Sequence, residues 1–203
     1  MTTETATKGP ETKGNDIGLF IARATKLLLR PSTFWQSLGD RPVTVSEVVW
    51  PHMVLLVAAR AIANMVGAML GGAGIGTSLT VLFTSFISCF AAVWAFGFAA
   101  MTIASMKGGK AGLSDGIVFA GYAVTPMLVF SIVTLIPVKY VQLVADILML
   151  PYAFHVLSLG VGTQLGIPEG RVATAVAQLC GALLVIWQLM PNLLPAIVRA
   201  VSG

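Results

Sequence analysis

Residues 51–74, PHMVLLVAARAIANMVGAMLGGAG, make one apolar run of bilayer length, with Arg60 and Asn64 near its middle. At about 1.5 Å per residue, roughly 20 helical residues cover a hydrocarbon core of about 30 Å, so the run spans a membrane with a little tilt. Four further runs follow at 77–105, 116–136, 138–160 and 172–194, joined by short connections. Lipid offers no partner to backbone N–H and C=O groups, so apolar runs of this length are expected to be helices. The expected fold class is therefore an all-α integral membrane protein, a five-helix transmembrane bundle over residues 45–196. Composition agrees: with 57% hydrophobic and only 10% charged residues, a chain of 203 residues has more apolar surface than a soluble domain of that size can hide.

The approach to the first crossing has its own pattern. Residues 1–16 hold Thr, Glu, Lys, Gly and Pro with almost nothing to bury, and are expected to be a disordered cytoplasmic tail. They lack the apolar core of a secretory signal, so the membrane segments are expected to direct targeting. Residues 17–44 read as an amphipathic interfacial region. Ile17, Phe20, Ile21, Ala24, Leu27 and Leu28 share one helical face, while Arg23, Lys26 and Arg30 recur on another. That pattern suits a helix lying on an anionic leaflet, and it also suits one packed on the rest of the protein. Pro31 ends the helix, Ser32 or Thr33 can cap a short amphipathic turn through Phe34, Trp35 and Leu38, and residues 39–42 make a turn. Thr44 with Glu47 matches a capping box, which predicts that the first long helix starts near Val45 and tolerates Pro51.

Charge orients the bundle. With the amino terminus inside, nine basic residues (Lys8, Lys13, Arg23, Lys26, Arg30, Arg41, Lys107, Lys110 and Arg171) face the cytoplasm and two (Lys139 and Arg199) face away. The bias predicts a cytoplasmic amino terminus and a short non-cytoplasmic tail at 197–203. The expected partners are membrane lipids, anionic at the cytoplasmic leaflet, and a membrane-protein complex or a homodimer. No basic stretch interleaves with aromatics as a nucleic-acid surface would, so no nucleic acid is expected. The hairpin at Pro137 nearly fuses the third and fourth segments and is the least secure boundary.

Ala59, Ala63, Gly67 and Gly71 repeat every four residues in the first crossing. Such a stripe admits a close helix, whether from the same chain or from a second copy. The glycine-rich stretch at 71–76 has no preceding strand and no Gly-Lys-Ser/Thr, and reads as a flexible turn instead of a phosphate loop. Cys89 and Cys180 lie in apolar segments and read as small hydrophobes. His52 has no companion at metal-ligand spacing, and no nucleophile–base arrangement follows from any spacing. No catalytic residue, cofactor or metal is expected.

The remaining candidates are polar groups at depth. Arg60 lies about nine residues in from the inner end of its helix and Asp146 about eight in from the outer end of an antiparallel one, so their depths agree to within several ångström. They are expected either to form a structural pair, with Asn64 completing the hydrogen bonds, or to join His155 in an ion or proton path. Asp146 and His155 fall on opposite faces of a straight helix, a relation that Pro151 between them can bend. Pro126 and Pro151 free carbonyls one turn back, which shapes a cavity or fits helices together.

Three blocks carry a family resemblance: LLLRPSTFWQSL at 27–38, AGYAVTPMLVFSIVTLIP at 120–137, and YAFHVLSLGVGTQLGIPEGRVATAV at 152–176. In these the chain resembles the Yip1 family of small multi-spanning membrane proteins, with Gly121, Tyr122 and Pro126 in the most specific block. The resemblance implies five crossings, a cytoplasmic amino terminus and no enzymatic activity. Eukaryotic members are associated with Golgi and endoplasmic-reticulum trafficking, prenylated Rab-type GTPases and membrane shaping. The chain resembles the compact prokaryotic members, which implies a bacterial inner membrane. Its short polar tail replaces a long cytoplasmic domain, so GTPase binding is not carried over. Gly121, Tyr122, Pro126, Gly160 and the stretch 166–168 are marked for architectural roles. The function expected is organisation of lipid or partner proteins, as a scaffold or accessory subunit. The alternative is a small ion or solute transporter or channel using the Arg60 and Asp146 layer.

Overall fold

The computed structural model of the chain describes residues 15–39, 43–136 and 138–202, without the side chains at 15–16, 134, 139, 142–143, 146, 194–195 and 197–202. The tail at 1–14, most of the turn at 39–42 and Pro137 lie outside the described residues.

Every described element is a helix. Two precede the membrane domain, α1 (Asn15–Leu29) and α2 (Pro31–Gly39). The first crossing comprises α3 (Val45–Glu47), a wide turn at Val48–Met53 and α4 (Val54–Leu70). The second is α5 (Ile75–Met106). The third comprises α6 (Leu113–Ala123), α7 (Thr125–Phe130) and a 3-10 turn at Ser131–Leu135. The fourth and fifth are α8 (Lys139–Leu165) and α9 (Glu169–Ser202). Five of these stretches are long and apolar enough to cross a membrane, as the apolar runs predict. The fifth helix continues to Ser202, into the stretch that the sequence assigns to a tail at 197–203, of which Gly203 lies outside the described residues.

Prolines decide where crossings break. Thr44 caps α3 as expected, its hydroxyl accepting from the Glu47 N–H at 3.4 Å. The helix does not run through Pro51, however: Trp50 turns extended, with φ −117° and ψ 128°, before helical geometry resumes. A proline ring clashes with the residue before it in helical geometry and has no N–H to give, so Trp50 is driven out of the helix. Pro126 acts likewise, dividing the third crossing into α6 and α7 where the sequence suggested one segment. Pro151, by contrast, sits exposed inside an uninterrupted α8.

The third crossing is the axis of the bundle. In its most apolar window 78% of residues are buried, against 17% in the fifth crossing. Since lipid is as apolar as leucine, burial alone does not hold helices together in a membrane; close packing does. Glycines supply it. A Cβ on Gly116 would stand 2.3 Å from the Gly97 carbonyl oxygen, and one on Gly97 2.9 Å from the Ile117 Cα, so α5 and α6 touch backbone to backbone. On the other side of α6, a Cβ on Gly121 would meet Val48 Cγ1 at 2.6 Å. In the stripe of the first crossing, Ala63 and Gly67 are buried while Ala59 and Gly71 are exposed.

Candidate functional site

Two polar clusters lie within this frame, one at the junction of α1 with the first crossing and one at mid-depth. The junction depends on α2. Phe34, Trp35 and Leu38, the apolar turn expected from sequence, are all buried. The Trp35 indole N–H donates to the Val156 carbonyl at 2.8 Å and lies where a Cβ on Gly160 would be, 2.7 Å from the indole. Phe34 meets Tyr122 edge to face at 4.9 Å between centroids. The Tyr152 hydroxyl donates to the Leu28 carbonyl and ties α8 to the end of α1. The conformational requirement at Gly160 is therefore a cradle for Trp35.

This docking carries α1 across the entrance of the first crossing. Ala24 and Leu27 are buried against the bundle, with Phe20 and Leu28 half-buried. The predicted apolar face thus divides, because Ile17 and Ile21 remain exposed, as do Leu19 and Leu29. Of the basic residues, Arg23 approaches Glu47 to 4.0 Å, Lys26 donates to the Ser37 hydroxyl at 3.0 Å, and Arg30 is exposed.

Beneath α1 sits His52, only 2% exposed. Its Nε2 lies 2.8 Å from the Thr125 hydroxyl oxygen, and that hydroxyl in turn lies 3.1 Å from the Gly121 carbonyl. A hydroxyl has one proton to give. With that proton on the Gly121 carbonyl, Nε2 carries the proton it donates to Thr125, and Nδ1 is a bare acceptor. Nδ1 is buried without a hydrogen-bond partner, as is the Tyr122 hydroxyl, whose ring stands 4.9 Å from the imidazole. The Arg23 guanidinium stands beside the Tyr122 hydroxyl, close enough to interact with it. Phe20 completes the enclosure, edge to face with His52 at 5.5 Å. A cleft of about 340 Å³ opens here, with Leu19, Phe20, Trp50 and Pro51 as apolar wall and Arg23, Glu47 and His52 as polar floor.

Sequence reasoning missed this cluster. His52 and Thr125 are 73 positions apart, and their distances from the ends of their crossings do not match, so depth counting gives no sign of the contact. The one local signal was Thr125 preceding Pro126, where a hydroxyl can cover a carbonyl of the broken turn.

The mid-depth cluster contains Arg60 and Asn64, as expected, but in different company. Arg60 lies over the Trp187 ring at 4.8 Å, and Asn64 donates to the Ser85 hydroxyl at 3.1 Å. Both line a cavity of about 30 Å³ together with the buried, unpartnered Ser88 hydroxyl and Cys89. A polar space of that size holds about one water molecule. Asp146 falls in α8, and its side chain lies outside the described residues. His155 is exposed on α8 beside Tyr152 and is not among the residues around Arg60. Cys89 and Cys180 are free thiols, and among the described residues no group of His, Cys, Asp and Glu has the makings of a metal site.

A family model described as the Yip1 domain matches residues 25–190. No curated protein and no solved structure shows detectable similarity to the chain.

Proposed function

We infer that this chain, which belongs to the Yip1 family, is a non-enzymatic multi-pass membrane protein that organises lipid around its α1–α2 collar. The observation that carries this reading is the division of α1. Its inner ridge is docked through Leu27 and anchored by Trp35, while Ile17, Leu19, Ile21 and Leu29 remain exposed beside Arg23, Lys26 and Arg30. Exposed apolar side chains flanked by basic ones, held rigidly at the entrance of a crossing, suit the headgroup boundary of an anionic leaflet. The excess of basic residues at this end of the bundle favours placing it, with the amino terminus, in the cytoplasm of a bacterium, the protein being in the inner membrane.

The same collar can also receive a protein partner, which would make the chain a scaffold or accessory subunit. Mild extraction into nanodiscs, followed by native mass measurement, tests both. Enrichment of anionic lipid over the bulk membrane, lowered in the double variant Lys26→Gln/Arg30→Gln, supports lipid organisation. Lipid at bulk composition together with a stoichiometric protein partner replaces it with the accessory-subunit reading.

The transport alternative rests on Arg60 with Asp146. Coverage of Arg60 by Trp187, and a cavity of only about 30 Å³, favour a structural role at that depth. Asp146→Asn in proteoliposomes decides the matter: lost flux with intact assembly would establish transport.

A further inference from the structure

We propose that the cleft between α1 and the first crossing is a site for one membrane lipid bearing a phosphoethanolamine headgroup, with Arg23 taking the phosphate and His52 and Glu47 taking the ammonium. The inference rests on the lipid-organising reading above and names the lipid class that one particular site selects.

Depth comes first. The cleft lies where the first crossing begins, at the Trp50–Pro51 break, immediately before the 17 apolar-rich residues of α4. Those residues span about 25 Å and the membrane-length stretch as a whole starts at Val45, so the cleft lies in its first third, on the amino-terminal side of α4. Trp50 is exposed at its edge, the position where tryptophan marks the boundary between headgroups and acyl chains. Leu19 and Trp50 together offer an apolar exit on the side where acyl chains would leave.

Chemistry selects the headgroup. An inorganic anion or an anionic headgroup would use Arg23 but would meet the Glu47 carboxylate 4.0 Å from it. A group with adjacent negative and positive ends suits both charges. The buried imidazole adds a requirement of its own. Its Nε2 proton is committed to Thr125, and its Nδ1 lone pair is buried with nothing to accept from, a costly state that a ligand N–H relieves. The cleft thus offers Arg23 for the phosphate, and Glu47 and Nδ1 for the ammonium. Reaching Nδ1 requires only that the Phe20 ring, which leans edge-on against the imidazole, turn aside.

Phosphatidylcholine supplies the discriminating comparison, because it has the same charges and no N–H. The full-length protein, in nanodiscs of equimolar phosphatidylethanolamine, phosphatidylcholine and phosphatidylglycerol with matched acyl chains, is released for native mass measurement and its bound lipid counted. The expected result is one phosphatidylethanolamine retained per chain, preferred over phosphatidylcholine by about tenfold, the value of one charge-assisted hydrogen bond. His52→Phe should abolish the preference, and Arg23→Gln, which removes the phosphate donor, should lower retention of both lipids. Should His52→Phe fail to fold, the lipid pair and the half-exposed Arg23 still decide. Equal retention of phosphatidylethanolamine and phosphatidylcholine, or undiminished retention of phosphatidylethanolamine in Arg23→Gln, overturns the site. Phosphatidylglycerol retained alone, and lost in Lys26→Gln/Arg30→Gln, overturns it while leaving lipid organisation standing. Retention of no lipid at all overturns both.

Discussion

The two polar clusters make opposite use of similar materials. Around Arg60, the charge is covered by an aromatic ring, the amide has a hydroxyl partner, and the remaining space takes about one water. Around His52, two buried polar atoms have no partner, an ion pair stands at 4.0 Å, and a cleft opens beside His52, with Phe20 among its walls. An unsatisfied group in a membrane costs as much as any single interaction there contributes, so two of them side by side next to a cleft are what the proposed ligand site would account for. The difference separates a polar cluster that holds helices together from one that is built to meet a ligand.

The strongest way to break that distinction is to remove the collar on which one cluster depends. Trp35→Ala takes away a buried indole and its hydrogen bond to Val156, a loss of about 4 kcal/mol in a packed site. The expected outcome is rapid tryptic cleavage at Arg23 and Lys26, with the five crossings still protected. Cooperative unfolding of the whole chain would instead make both clusters one unit.

A smaller effect is expected at Thr125. Thr125→Val leaves the His52 Nε2–H buried without an acceptor and should cost about 1–3 kcal/mol in thermal unfolding, while Thr125→Ser should retain nearly all stability. If valine is tolerated as well as serine, the imidazole is not held as described.

At mid-depth, Arg60→Met and Trp187→Leu should each cost about 1 kcal/mol and be non-additive when combined, since each removes the same cation–π contact. Strict additivity would show that Arg60 is stabilised by something other than Trp187. The smallest change is expected for Ser88→Ala, within about 0.5 kcal/mol of the parent, because its hydroxyl has no protein partner to lose. A larger loss would place a bound water in the adjacent cavity and bring the two clusters closer in kind.

Much of this was legible in the chain. The crossings, the cap at Thr44, the apolar turn of Phe34, Trp35 and Leu38, and the importance of Gly121, Tyr122 and Pro126 all follow from short-range pattern or from the family blocks. Arg60 and Asn64 were recognisable as intramembrane polar residues, although not with Trp187 and Ser85 as companions. His155 looked like a member of the same layer and is exposed elsewhere, because one helix pattern records depth but not which neighbour each face meets.

The sequence alone determined that these residues form membrane-spanning helices, since a long apolar segment leaves the backbone no partners except its own. It did not determine where they break: Pro51, expected to be tolerated, interrupts its crossing, whereas Pro151 sits inside an unbroken α8. Only the tertiary structure decided that the third crossing is the axis, that Gly160 makes room for Trp35, and that His52 meets Thr125 while Nδ1 is left bare. The physical reason is that lipid is indifferent to which apolar face it touches: helix formation is settled within each segment, whereas partner choice depends on close fit between residues far apart in the chain.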